Sequence, residues 1–151
     1  MTDDLKELIA SLQSHSVTFL VVGSVALSIH AKARYTEDLD LWLARTEENL
    51  DRLQGALTDY GLDVDENLLR AFLDKDRQMI ILGAAPHAVD LMNFLEGVSF
   101  DDAWSNRVSG SLWGKTVDFI GKRHFIQSKR AAGRPKDLAD LALIDEIDSG
   151  S

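Results

Sequence analysis

Three stretches of this chain carry residue types that could do chemistry together. Gly23 and Ser24 close a short apolar run, 19–22, and a small-residue helical pattern follows them. A glycine lets backbone approach a ligand closely, free N–H groups at a helix start attract phosphate, and a serine hydroxyl can donate to a phosphate oxygen. Asp38 and Asp40 stand two apart in a second apolar run, 38–43. On a strand that spacing puts both carboxylates and Trp42 on one face, with Leu39, Leu41 and Leu43 on the other. Two like charges side by side are tolerable when solvated or when they share a cation. Oxygen-rich sites of this kind suit Mg²⁺, which is held by one or two carboxylates plus substrate phosphates. Asp90 interrupts a third apolar run, His87-Ala-Val-Asp-Leu-Met. A charge there is costly if buried without a partner, and on an edge strand it would simply face solvent. Each feature alone is commonplace: most Gly-Ser pairs are turns, and many Asp-x-Asp pairs are solvated strand faces.

The surrounding pattern supplies elements to hold these residues. Residues 3–14 predict an amphipathic helix with Leu5, Leu8, Ile9 and Leu12 on one stripe and Thr2 as its cap. Residues 19–22 predict a strand, 25–31 a short helix, 32–37 a polar loop and 38–43 a second strand. Thr46 caps a helix over 46–60 that Gly61 ends. Residues 62–72 read as a short strand or turn followed by one helical turn. The runs 78–82 and 88–92, joined by a turn over 83–86, predict a hairpin. A short helix over 100–104, two strands over 108–112 and 115–120 around Trp113-Gly114, and a helix over 122–132 ended by Gly133 follow. Pro135 suits the first turn of a last helix, with Leu138, Leu141 and Ala142 as its buried stripe. His30 reads as a packing or capping histidine, and Arg34 as either a solvated loop charge or a phosphate contact. Asp137 is placed to orient Lys129 or Arg134 by an ion pair. Asp140 lies three residues on, on the same helical face, where a structural and a catalytic role are both open.

Gly-Ser at the end of an apolar strand, followed by Asp-x-Asp on the next, resembles the nucleotidyltransferase superfamily with the DNA polymerase β-like fold. Arg34, Thr36 and Asp38 match the Arg-x-Thr-x-Asp pattern of a small bacterial group that includes the AbiEii-type toxins of abortive-infection and toxin–antitoxin systems. Lys129, Lys136, Asp137 and Asp140 match a second segment of that group, so the resemblance covers nearly the whole chain. It implies an α+β, two-layer fold in which a mixed β-sheet packs against helices, with further helices at the C-terminal end. It also implies two Mg²⁺ ions, for which Mn²⁺ can substitute, on Asp38, Asp40 and Asp90. An NTP would sit with its β- and γ-phosphates on Gly23 and Ser24, with Arg34, Lys136 and Asp137 in nucleotide binding. Asp90 would line up an acceptor hydroxyl and Lys129 would offset charge on the leaving group. The acceptor is an RNA, a protein or a small molecule, and a cognate antitoxin or toxin is an expected partner. The sequence departs from the pattern where relatives carry Gly-x-Pro-Arg and this chain has Ala31-Lys32-Ala33-Arg34. Larger relatives also append a helical domain, which leaves acceptor binding here to a partner or a second copy.

The 151 residues fit a single domain, with a core over roughly 17–120 and a helical segment over 122–147. No apolar run is long enough to span a bilayer, the acidic N-terminal stretch does not resemble a signal peptide, and there is no cysteine for a disulfide or thiolate site. A cytoplasmic location is the expectation. A net charge of −9 argues against a broad electrostatic grip on nucleic acid, though Lys32 with Arg34, and Lys129, Arg130, Arg134 and Lys136, form local basic clusters. Two other readings stand beside the enzyme: a nucleotidyltransferase-like module that binds a nucleotide or partner without turnover, and an antibiotic nucleotidyltransferase whose acidic surface suits a cationic drug.

Overall fold

The computed structural model describes residues 2–30, 39–83 and 88–150, the side chains of residues 2, 3, 24, 28, 29 and 145–150 excepted. The elements run α1 (Thr2–Ser14), β1 (Phe19–Val22), α2 (Gly23–His30), β2 (Leu39–Leu43), α3 (Glu47–Tyr60), α4 (Glu66–Asp74), β3 (Met79–Leu82), β4 (Val89–Met92), α5 (Phe100–Ser105), β5 (Val108–Leu112), β6 (Lys115–Phe119), α6 (Lys122–Ala132) and α7 (Pro135–Gly150). The strands form one mixed sheet in the order β3-β4-β2-β1-β6-β5. β1 runs antiparallel to β2 and parallel to β6, and β2 runs parallel to β4. The hairpins β3–β4 and β5–β6 form the two ends.

The two-residue period of the strands divides the sheet. One face carries Phe19, Val21, Leu39, Leu41, Leu43, Ile80, Leu82, Val89, Leu91, Val117 and Phe119, all buried. α1 packs on α3 and α3 meets α4, while α2 lies against β1 and β2 and α6 pairs with α7. The opposite face carries Leu20, Val22, Asp40, Trp42, Asp90 and Met92 in the middle, with Met79 and Ile81 exposed on the edge strand β3. α5 covers part of that face, its Phe100 ring standing edge-on to Trp42 at 5.1 Å between centroids.

Local chemistry explains most boundaries. Thr46 accepts a hydrogen bond from the Asn49 N–H at 3.1 Å, and Gly61 ends α3 in the left-handed region at φ 102°. Trp113 and Gly114 both take positive φ, 51° and 82°, as a two-residue hairpin turn requires. Two buried asparagines stitch loops to the sheet. Asn49 donates to Thr18 and Ala44 carbonyls and accepts from the Thr18 N–H. Asn93 donates to the Phe72 and Lys75 carbonyls and accepts from the Gln78 N–H.

Four expectations are corrected. Thr2 belongs to the first turn of α1 instead of standing outside it as a cap, and α2 begins at Gly23, two residues before the small-residue pattern suggested. Residues 62–72 hold more helix than one turn: α4 runs from Glu66 to Asp74, started by the Asp65 carboxylate accepting from the Asn67 N–H at 2.8 Å. Alternation at Leu62 and Val64 mimicked a strand, but Leu69 and Phe72, three apart and buried, fix the helical period. The fourth concerns α7. Its buried residues include Asp137, Asp140 and Ile144, whereas Leu138 is 55% exposed and Ala142 is exposed. The helix turns its acids inward because a lysine of α6 lies there, as described below. No helix among the described residues is long and apolar enough to cross a membrane.

Candidate functional site

The site lies on the partly open sheet face, where β1 gives way to α2. Gly23 has φ +70°, and a Cβ placed on it would lie 2.1 Å from Asp40 Oδ2. Two requirements therefore meet at one residue: a left-handed backbone and room for a carboxylate against the Cα. The register sets up this contact, because Val22 faces Asp40 across the β1–β2 pair. On the other side of β2, Asp40 is the register partner of Asp90 on β4. Partners in register on neighbouring strands present their side chains on the same face. The sheet thus brings together two acids that lie 50 positions apart in the sequence.

A cavity of about 500 Å³ opens over this point, lined among others by Val22, Gly23, Asp40, Lys129, Arg134 and Lys136. Asp90 is half-buried beside it and is not part of its lining. Ser24 opens α2 next to Gly23, and its side chain is not among those described. Asp38 and Arg34, expected as a ligand and a phosphate contact, lie outside the described residues.

The basic wall of the cavity is built by α6 and α7. Lys129 is buried and its ammonium sits 3.2 Å from Asp137 Oδ1 and 3.1 Å from Asp140 Oδ2, with the Phe125 ring centroid 5.3 Å away. Asp137 also accepts from Arg134 Nε at 2.7 Å, from Arg134 Nη2 at 3.2 Å and from the Arg134 backbone N–H at 3.1 Å. Burial alone would raise the Asp137 pKa, but the hydrogen bonds from Arg134 and Lys129 outweigh it and bring the group down to about 2. The expectation that Asp137 orients Lys129 or Arg134 is met for both cations. Asp140, fully buried in ion-pair contact with Lys129, acts as the second brace. Lys136 is exposed at the rim. His30 packs as expected: its Nε2 donates to the Ile120 carbonyl at 2.7 Å and its ring stands 5.9 Å from Phe125.

The remaining wall escaped the sequence reading. Met79, Met92, Phe94 and Leu95 line it, with Arg77 and Glu96 at its edge. Arg77 pairs with Glu96 and lies 4.9 Å from the Phe94 ring centroid; its hydrogen bond holds the Glu96 carboxyl below the usual range. Met92 follows Asp90 by two positions and faces Met79, so strand parity from Asp90 would have found both.

A mixed sheet with a glycine bend leaving one central strand and acids on the next two gives the chain a nucleotidyltransferase-like fold. A solved structure of a candidate nucleotidyltransferase from Thermotoga maritima superposes with a TM-score of 0.60, covering 91% of this chain and 88% of that chain at 12% identity. No family model and no curated protein matches the sequence.

Proposed function

We propose that this protein is a nucleotidyltransferase that moves a nucleoside monophosphate from an NTP to an acceptor hydroxyl, releasing pyrophosphate. The observation that carries this reading is the packing of the Asp40 carboxylate against Gly23, in register with Asp90, at a cavity whose other side holds Lys129, Arg134 and Lys136 beside Asp137. Among the described residues no cluster of three or more His, Cys, Asp or Glu is gathered for a metal ion. Two acids in register nevertheless suit Mg²⁺, which takes one or two carboxylates and completes its shell with waters and phosphate oxygens. Asp40 and Asp90 would hold it, with Asp38, next to β2 in sequence, as a further ligand. When bound, the ion supplies charge stabilisation at the transferring phosphoryl group.

The chain's own residues have separable tasks in this reading. The Gly23–Ser24 start of α2 receives phosphate oxygens on its N–H groups. Lys129, fixed by two buried carboxylates, is a preorganised cation that needs no rearrangement as charge builds on the leaving pyrophosphate. Arg134, itself held by Asp137, and Lys136 widen the positive field. The kinship with AbiEii-type toxins belongs to the proposal and rests on Arg34, Thr36 and Asp38 together with Lys129, Lys136, Asp137 and Asp140. The acceptor it points to is an RNA, a protein or a small molecule.

The test is incubation with each NTP labelled at the α-phosphorus, Mg²⁺ and cell lysate, comparing wild type with Asp40→Ala. Label on an acceptor that depends on both Mg²⁺ and Asp40 is the expected result. No label above the level of the variant, with any NTP, overturns the proposal. Binding of Mg-NTP without transfer would instead favour a non-catalytic module.

A further inference from the structure

The cavity has two walls of opposite character. Lys129, Arg134 and Lys136 make one basic on balance, three cations against the buried carboxylates of Asp137 and Asp140, while Met79, Met92, Phe94 and Leu95 make the other apolar. The apolar wall is held in place by the fold. Met79 and Met92 are register partners across β3–β4, so they stand side by side on the site face. Phe94 follows directly on Asn93, whose buried amide ties the chain to the loop that brings in Arg77 and Met79. Arg77 lies against the Phe94 ring and is tethered by Glu96.

Met79 is 48% exposed and Met92 and Phe94 are half-buried, so this wall keeps apolar area uncovered inside a concavity. Thioethers and an aromatic edge make favourable, shape-tolerant contacts with a π-system. A guanidinium stacks on planar rings. The occupant that satisfies cations on one wall and a sulfur-and-ring surface on the other is an anion with a flat, weakly polar body. A cavity of about 500 Å³ has room for one such molecule.

We infer that Met79, Met92 and Phe94, with Arg77 beside them, form the nucleobase subsite of the donor nucleotide; this rests on the function proposed above and assigns the part of the site that the carboxylates and lysines leave open. The base packs on sulfur and ring, and the triphosphate extends toward Gly23 and Lys129.

Calorimetric titration of the full chain with Mg-ATP and, separately, with Mg-tripolyphosphate tests it. Wild type is expected to bind ATP at least about tenfold more tightly than tripolyphosphate, the size of effect that burial of an apolar ring gives. Phe94→Ala should lower ATP affinity by about tenfold and Met79→Ala by about threefold to fivefold, each leaving tripolyphosphate within about twofold. Met79 is exposed, so its variant decides the matter should Phe94→Ala fail to fold. Equal losses for both probes, or wild type binding ATP no better than tripolyphosphate, overturns the subsite while leaving the phosphate site standing. Failure of wild type to bind either probe removes the function proposed above and the subsite with it.

Discussion

Gly23 and Asp40 form a pair in which each constrains the other. Gly23→Ala would combine a left-handed φ with a Cβ overlapping the carboxylate, so either the backbone or Asp40 must move. The expected cost is roughly 1–3 kcal/mol in stability, read from chemical denaturation, together with loss of labelled transfer. Asp40→Asn keeps the shape and removes the charge. It should leave the melting temperature near that of wild type and lower transfer at least about a hundredfold, measured with the labelled NTPs. At this scale the sequence was informative where a rule links type to place. A two-residue period puts Asp40 and Asp90 on one face once strands are assigned. Nothing local announced Arg77 or Phe94, because their partners, Glu96 and the cavity, come from loop and hairpin geometry.

At the scale of elements, α6 and α7 are joined by one lysine and two acids. Lys129→Met would leave Asp137 and Asp140 buried without that cation, and such a broken buried pair typically costs about 3–5 kcal/mol. Combining Lys129→Met with Asp137→Asn and Asp140→Leu should recover most of the loss in denaturant melts, which a purely steric effect of the methionine would not allow. The low Asp137 pKa gives a further signature. A carboxyl depressed from 3.8 to about 2 on folding contributes stability above about pH 4, and the contribution disappears as pH falls toward 2. Denaturation profiles between pH 5 and pH 2 should therefore fall by about 2 kcal/mol more in wild type than in Asp137→Asn. The same trio explains why the face of α7 was misread. A pattern search seeks leucines for the inner side, and here Asp137 and Asp140 take it because a buried cation makes acids the better neighbours.

At the scale of the molecule, the six strands and all but one of the seven helices among the described residues followed from period and punctuation, whereas α4 and the pairing order did not. Parallel pairing of β2 with β4 and of β1 with β6 joins segments far apart in sequence, which local propensity does not report. The finished sheet ends at β3, whose outer side pairs with no other described strand and whose Met79 and Ile81 are 48% and 59% exposed. Charged side chains on an edge discourage pairing with another chain, and the run Met79-Ile-Ile-Leu82 has none. Ile81→Lys should reduce concentration-dependent light scattering while changing stability by no more than about 0.5 kcal/mol.

The braces on Lys129 also set an order in time. Synthesis delivers every strand and both Asp40 and Asp90 before Asp137 and Asp140 exist. A nascent chain halted at Gly133 could align its acids on the sheet while its key ammonium still lacks both anchors.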